Sequence, residues 1–107
     1  MQDPVIKLDT KRLAEQSAAA AILLRALGNE QRLLILCHLA AEGELSVTAL
    51  GERMSLSQSA LSQHLARLRE DGITAFRREA QTLFYRIAGD KAARLLALLH
   101  DLYCPDL

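Results

Sequence analysis

Residues 46–72 read SVTALGERMSLSQSALSQHLARLREDG, and the fold turns on this stretch. Ser46 precedes a short helical pattern, VTALGERM, in which Leu50 and Met54 point inward. Ser55, Leu56 and Ser57 make a tight turn, and Ser57 is placed to cap a second helix, QSALSQHLARLRE, that ends at Gly72. Two helices joined by a three-residue turn follow the helix-turn-helix plan. Leu61, Leu65 and Leu68 recur at i, i+4 and i+7 and anchor one face of the second helix. Gln58, Ser59, Ser62 and Gln63 are left at its exposed N-terminal end. Glutamine can pair two-pronged with adenine, serine can donate or accept, and the first turns of a recognition helix reach base edges in the major groove. Polar first turns also occur on ordinary surface helices, so the motif alone leaves both readings open.

The segment that follows, ITAFRREAQTLFYRI (residues 73–87), has two strand-like runs around Ala80, Gln81 and Thr82. It reads as a β-hairpin with Arg77, Arg78, Gln81 and Thr82 at its tip and flanks. A basic hairpin directly after a helix-turn-helix is expected to act as a wing along the DNA backbone, the arginines holding phosphate. The competing reading is an edge hairpin kept soluble by charge. Phe76 occupies a strand position where an aromatic ring would be exposed.

Upstream, Asp9 or Thr10 can cap a first helix running to about Leu27, with Leu13, Ser17, Ala20 or Ala21, Leu24 and Leu27 as its inner stripe and Gly28 as its stop. Small residues along that stripe would let another helix approach closely. Asn29 then caps EQRLLILCHLAA, closed by Gly43, whose apolar residues wrap widely enough to predict near-complete burial, with Cys37 on the apolar face. Downstream, Asp90 can cap KAARLLALLHDLY, in which Leu95 or Leu96, Leu99, Leu102 and Tyr103 form an apolar stripe that Pro105 ends. The first and last helices each offer an apolar side that one small core cannot use. A homodimer through them is expected, and a two-fold protein suits a palindromic site with half-sites about one turn, ~34 Å, apart.

Composition agrees with a single, mainly α domain spanning residues 1–107, of about five helices and a two-stranded wing. Of 107 residues, 22 are leucine and 17 alanine, against 7 valines and isoleucines together. No apolar run approaches the roughly 20 residues of a membrane span, and the first residues lack a secretory pattern, so a cytoplasmic location is expected. Thirteen basic groups balance thirteen acidic ones, but residues 53–86 carry a net charge of +3 while the flanking segments are negative. All six bases of that central segment are arginine, whose planar fork suits phosphate oxygens and base edges.

The run from LLRALGNEQRLLIL through ELSVTALGERMSLSQSALSQHLARLREDGI to RREAQTLFYRI resembles the ArsR family of dimeric winged-helix repressors over nearly the whole chain. That resemblance implies a homodimer that binds a double-stranded DNA operator. Metal sensors of the family place a Cys-x-Cys pair where this chain has Ser46 and Thr48, and the last helix offers Asp90, His100 and Asp101 without the paired spacing of the zinc-sensing branch. The two cysteines, Cys37 in ILCHL and Cys104 in LYCP, resemble instead the pair of the sulfide- and redox-responsive branch. There, reactive sulfur species or oxidants bridge the two thiols and the repressor leaves its operator.

A cytoplasmic pair reduced by default makes a reversible switch, and a bridge from residue 37 to 104 could bias a conformational balance by roughly 4 kcal/mol. The placement predicts a buried Cys37 and an accessible Cys104, which would attack first. The alternative is a metal-sensing repressor using Cys37, His100 and Cys104, because His100 lies at i−4 from Cys104. No resident cofactor is implied. An enzyme is disfavoured, since the chain has no Cys-x-x-Cys, no glycine-rich phosphate loop and no βαβ pattern.

Overall fold

A computed structural model describes residues 5–106. Asp9 accepts the Arg12 N–H at 3.0 Å and opens α1, Thr10–Glu15. The helix expected to continue to Leu27 is broken at Gln16 (φ −102°, ψ 6°), and α2 spans Ser17–Leu27. The Ser17 hydroxyl donates to the Ala14 carbonyl at 2.8 Å, a local bond that competes with helical pairing. The expected inner stripe is mostly outside: Leu13 and Leu24 are exposed, and Leu27 is its buried member.

Asn29 accepts the Gln31 and Arg32 N–H groups at 3.0 and 3.1 Å and begins α3, Glu30–Glu42. Gly43 ends it at φ 85°, where a side chain would be strained. Arg32 reaches back to donate to the Arg25 carbonyl at 2.9 Å, satisfying one of the orphan acceptors at the end of α2. Ile35, Leu36 and Leu39 are buried, but Leu34 and Cys37 are exposed. The expected near-complete burial of this helix therefore holds on one face only. That face packs against the neighbouring helices and the sheet, and Leu34 and Cys37 on the other are left exposed among the described residues.

The central stretch folds as read. Ser46 accepts the Ala49 N–H at 3.0 Å and caps α4, Val47–Arg53, while Ser57 accepts the Ala60 N–H at 3.1 Å and caps α5, Gln58–Glu70. Leu50 from the first helix, Met54 at its C-cap, and Leu61, Leu65 and Leu68 from the second are buried. The largest fully buried side chains, Ile35, Leu36, Leu39, Leu50, Leu65 and Leu68, all come from α3, α4 and α5. At about 1.5 to 3 kcal/mol for each such side chain, this cluster holds the helix-turn-helix to the body.

The wing is larger than expected. Leu45–Ser46 forms a short strand β1, and with β2, Thr74–Glu79, and β3, Thr82–Ile87, it makes a three-stranded antiparallel sheet of order β1-β3-β2. Leu45 pairs with Tyr85 and Ser46 with Phe84. Two residues are too few to show the alternation by which strands are recognised in a sequence.

The last helix, α6, runs Lys91–Tyr103 with Ala92 and Leu96 buried. Asp90 stands at its N-cap, but its side chain accepts no capping bond; the carboxylate lies instead 3.9 Å from the Arg94 guanidinium. Of the expected stripe, Leu102 and Tyr103 are exposed at 63% and 80%, as is Leu98 at 53%. Among the described residues the helices thus number six, one more than expected, because the first is split. No helix among the described residues is long and apolar enough to cross a membrane.

Candidate functional site

Gln58, Ser59, Ser62 and Gln63 are all exposed on the first turns of α5, opposite the leucines that seat it. The Ser59 hydroxyl lies 3.3 Å from that of Ser57, so the cap and the first polar position share a hydrogen bond. Gln81 and Thr82 are exposed at the wing tip. The turn is made by Ala80 and Gln81, with Thr82 already in β3, and Ala80 takes a positive φ of 56°.

The register divides the wing into two faces. Thr74, Phe76 and Arg78 pair with Ile87, Tyr85 and Leu83 on one; Ala75, Arg77 and Glu79 pair with Arg86, Phe84 and Thr82 on the other. The first face meets α5. Phe76 stacks on the buried Tyr85 with ring centroids 5.5 Å apart, and the Arg69 guanidinium of α5 lies 5.1 Å from the Phe76 centroid. Phe76, at a position where its ring was expected to be exposed, is half-buried between a core ring and a cation.

Arg77 and Arg78, equivalent in the sequence reading, part company. Arg78 is exposed on the face that Arg69 and Phe76 share, with no hydrogen bond or ion pair to its side chain among the described residues. Arg77 donates to both carboxylate oxygens of Glu44 at 2.9 and 2.8 Å and to Glu79 at 2.8 Å, with its guanidinium 4.5 Å over the Phe84 ring. The expectation that both arginines are free to hold phosphate is corrected for Arg77, whose donors face two carboxylates. The hydrogen bonds from Arg77, more than the charges of Arg77 and Arg86, hold the Glu44 carboxyl below the usual carboxylate range. Neither Glu44 nor the role of Arg69 was signalled in the sequence. Glu44 stands 33 residues from Arg77, and no local pattern joins them.

Both cysteines are free thiols. Cys37 sits on α3, and Cys104 is the C-cap of α6, its N–H donating to the His100 carbonyl at 2.7 Å. The two helices pack against each other. The expected order of burial is reversed: Cys37 is exposed and Cys104 half-buried. Cys37 lies on the uncovered side of α3, whereas the backbone of Cys104 leaves the helical path (φ −131°, ψ 52°). Although Cys37 is exposed overall, partial desolvation of its thiol pushes its pKa up.

Among the described residues no group of three or more His, Cys, Asp or Glu side chains is gathered to hold a metal, so Cys37, His100 and Cys104 form no ligand set within one chain.

Comparison with known proteins gives this geometry a context. Residues 29–74 match the bacterial regulatory protein, arsR family. The chain is 50% identical over 97 residues to the transcriptional activator HlyU of Vibrio cholerae, covering 91% of this chain and 89% of that protein. The structure of reduced HlyU from the same organism superposes with a TM-score of 0.80 at 51% identity, covering 88% of this chain and 98% of that one. The transcriptional repressor BigR from Xylella fastidiosa gives a TM-score of 0.82 at 36% identity, over 91% and 98% of the two chains. A homodimeric winged helix-turn-helix DNA-binding domain, Mb0332 from Mycobacterium bovis, gives 0.74 at 34% identity, over 92% and 89%. These relatives are regulators of transcription, not enzymes.

Proposed function

The chain belongs to the arsR family of DNA-binding bacterial regulators, and from that premise we propose that it is a cytoplasmic repressor that binds a palindromic operator as a homodimer and releases it when Cys37 and Cys104 are bridged. The observation that carries the DNA reading is the exposure of Gln58, Ser59, Ser62 and Gln63 on α5 together with that of Arg78 on the wing, which has no side-chain partner among the described residues. The α5 side chains read bases, and Arg78, with Gln81 and Thr82, follows the backbone. The exposed Leu13 and Leu24 of α1 and α2, with Leu98, Leu102 and Tyr103 of α6, supply the apolar surface that a second copy covers.

The switch rests on two free thiols carried by packed helices, one of them the helix whose apolar end is assigned to the dimer. A thiolate takes the outer sulfur of a small persulfide, releasing that donor as a thiol and leaving a protein persulfide. The second protein thiol attacks the inner sulfur and expels hydrosulfide. The two cysteine sulfurs are oxidised to a disulfide, the donor's outer sulfur is reduced to sulfide, and both thiol protons end on the leaving groups. Closing the bridge draws the end of α6 onto α3 and changes the spacing or mobility of the two recognition helices without touching a DNA contact.

The test begins with selection of duplexes from a randomised pool, which should return an inverted repeat with half-sites about one turn, ~34 Å, apart. Cys37→Ser and Cys104→Ser proteins should hold that duplex as the reduced protein does but remain bound after glutathione persulfide. Release of the wild type should be reversed by a reductant. If either single variant dissociates at the wild-type dose, the paired-thiol mechanism is wrong.

A further inference from the structure

Arg77 is the one wing arginine engaged on three sides. Glu44 takes two of its donors, Glu79 a third, and Phe84 lies under its plane. The arrangement is not needed to place the wing. Strand β1 already pairs with β3, and the Phe76–Tyr85 stack seats the other face against the body. Nor is it buried, since the side chains of Arg77, Glu44 and Glu79 are 47%, 34% and 68% exposed. Ion pairs this open to water contribute little to stability. Their effect on a neighbouring polyanion is another matter. Two carboxylates offset the charge of the Arg77 guanidinium, and even with Arg86 on the same face they leave this flank neutral on a ribbon that is otherwise basic.

We propose that Glu44 and Glu79 limit how strongly the wing holds DNA regardless of sequence, by withholding Arg77 from the phosphate backbone. Binding then depends more heavily on the base contacts of α5, and discrimination between operator and random duplex rises. This rests on the reading that the wing lies along the DNA backbone. Every phosphate contact releases counterions and steepens the salt dependence of binding by about 0.9 in the log–log slope. Freeing one arginine in each half of a dimer should therefore steepen the slope by roughly 2.

The experiment compares the full-length protein with the Glu44→Gln/Glu79→Gln variant, binding the selected operator and a random duplex between 50 and 200 mM salt. The glutamines keep size and hydrogen-bonding capacity while removing both charges, and a thermal melt confirms folding. The variant should bind random duplex more tightly at low salt, lose on the order of tenfold more affinity across the salt range, and show a smaller ratio of operator to random affinity. Adding Arg77→Gln to the double variant should abolish the gain. A gain that survives Arg77→Gln would show that the carboxylates act by repulsion alone, and unchanged or weaker random-duplex binding by the double variant would overturn the proposal outright. Arg78→Ala separates this from the underlying reading. If it has no effect on any duplex, the wing does not meet DNA; if it weakens binding while the double variant gains nothing, only the withholding of Arg77 is refuted.

Discussion

The guanidinium of Arg69 on α5 lies 5.1 Å from the centroid of the Phe76 ring on β2, joining the recognition helix to the wing. An exposed cation over an aromatic face contributes about 0.5 to 1 kcal/mol. A double-mutant cycle on Arg69→Ala and Phe76→Leu, followed by urea unfolding at fixed protomer concentration, should return a coupling of that size. Additivity within about 0.3 kcal/mol would mean that the two elements are joined only by the underlying packing.

Base reading and phosphate holding separate by their response to salt and sequence. Substituting Ser62 or Gln63 by Ala should cost about 1 to 3 kcal/mol on the operator and relax preference at the contacted positions. Arg78→Ala should weaken all duplexes alike and reduce the salt slope by about 1 per wing. Equal losses on operator and random DNA for all three would show that α5 does not read sequence.

Desolvation raises the Cys37 pKa, so its thiolate is scarcer at neutral pH than that of an unperturbed cysteine. In a Cys104→Ser protein, alkylation of Cys37 by iodoacetamide at pH 7 should be slower than that of a small model thiol, and should accelerate as pH rises through and beyond the ordinary thiol range. The direction follows from the charge: the neutral form is favoured by the fold, and only added hydroxide removes its proton. Alkylation at the model-thiol rate at pH 7 would contradict it.

Ala80 sits at φ 56° in the wing turn, a left-handed conformation that costs a non-glycine residue about 1 to 2 kcal/mol. Glycine removes that strain but gives the unfolded chain more freedom, which offsets part of the gain. Ala80→Gly should stabilise the protein by about 0.5 to 1 kcal/mol in urea unfolding. A loss of stability would show that the turn is held by contacts of the Ala80 methyl group.

The helix-turn-helix and the exposed polar turns of its second helix were legible in the sequence because the interactions that define them are local. Ser46, Ser57 and Asn29 cap the next few N–H groups, Gly43 ends its helix at a positive φ, and Leu61, Leu65 and Leu68 recur at the helical period. Capping and periodicity act over three to seven residues, and such distances can be read along a chain. The break at Gln16 belongs to the same local scale, but one serine hydroxyl bonding backward competes with a run of good helix formers, and no pattern ranks the two.

What only the tertiary structure decided depends on partners far apart in the chain. Strand β1 is a strand because Leu45 and Ser46 meet Tyr85 and Phe84. Cys37 is exposed because α3 turns a different face to the sheet and to α6, and Phe76 is sheltered because Arg69 and Tyr85 cover it. Two adjacent arginines differ in chemistry because strand alternation sends Arg77 toward Glu44 and leaves Arg78 on the face beside α5. The sequence by itself determined the two helices of the helix-turn-helix and which residues are proposed to contact DNA. The packing of those segments decided which of the residues are free to do so, since burial and charge pairing are set by neighbours that the order of residues does not place side by side.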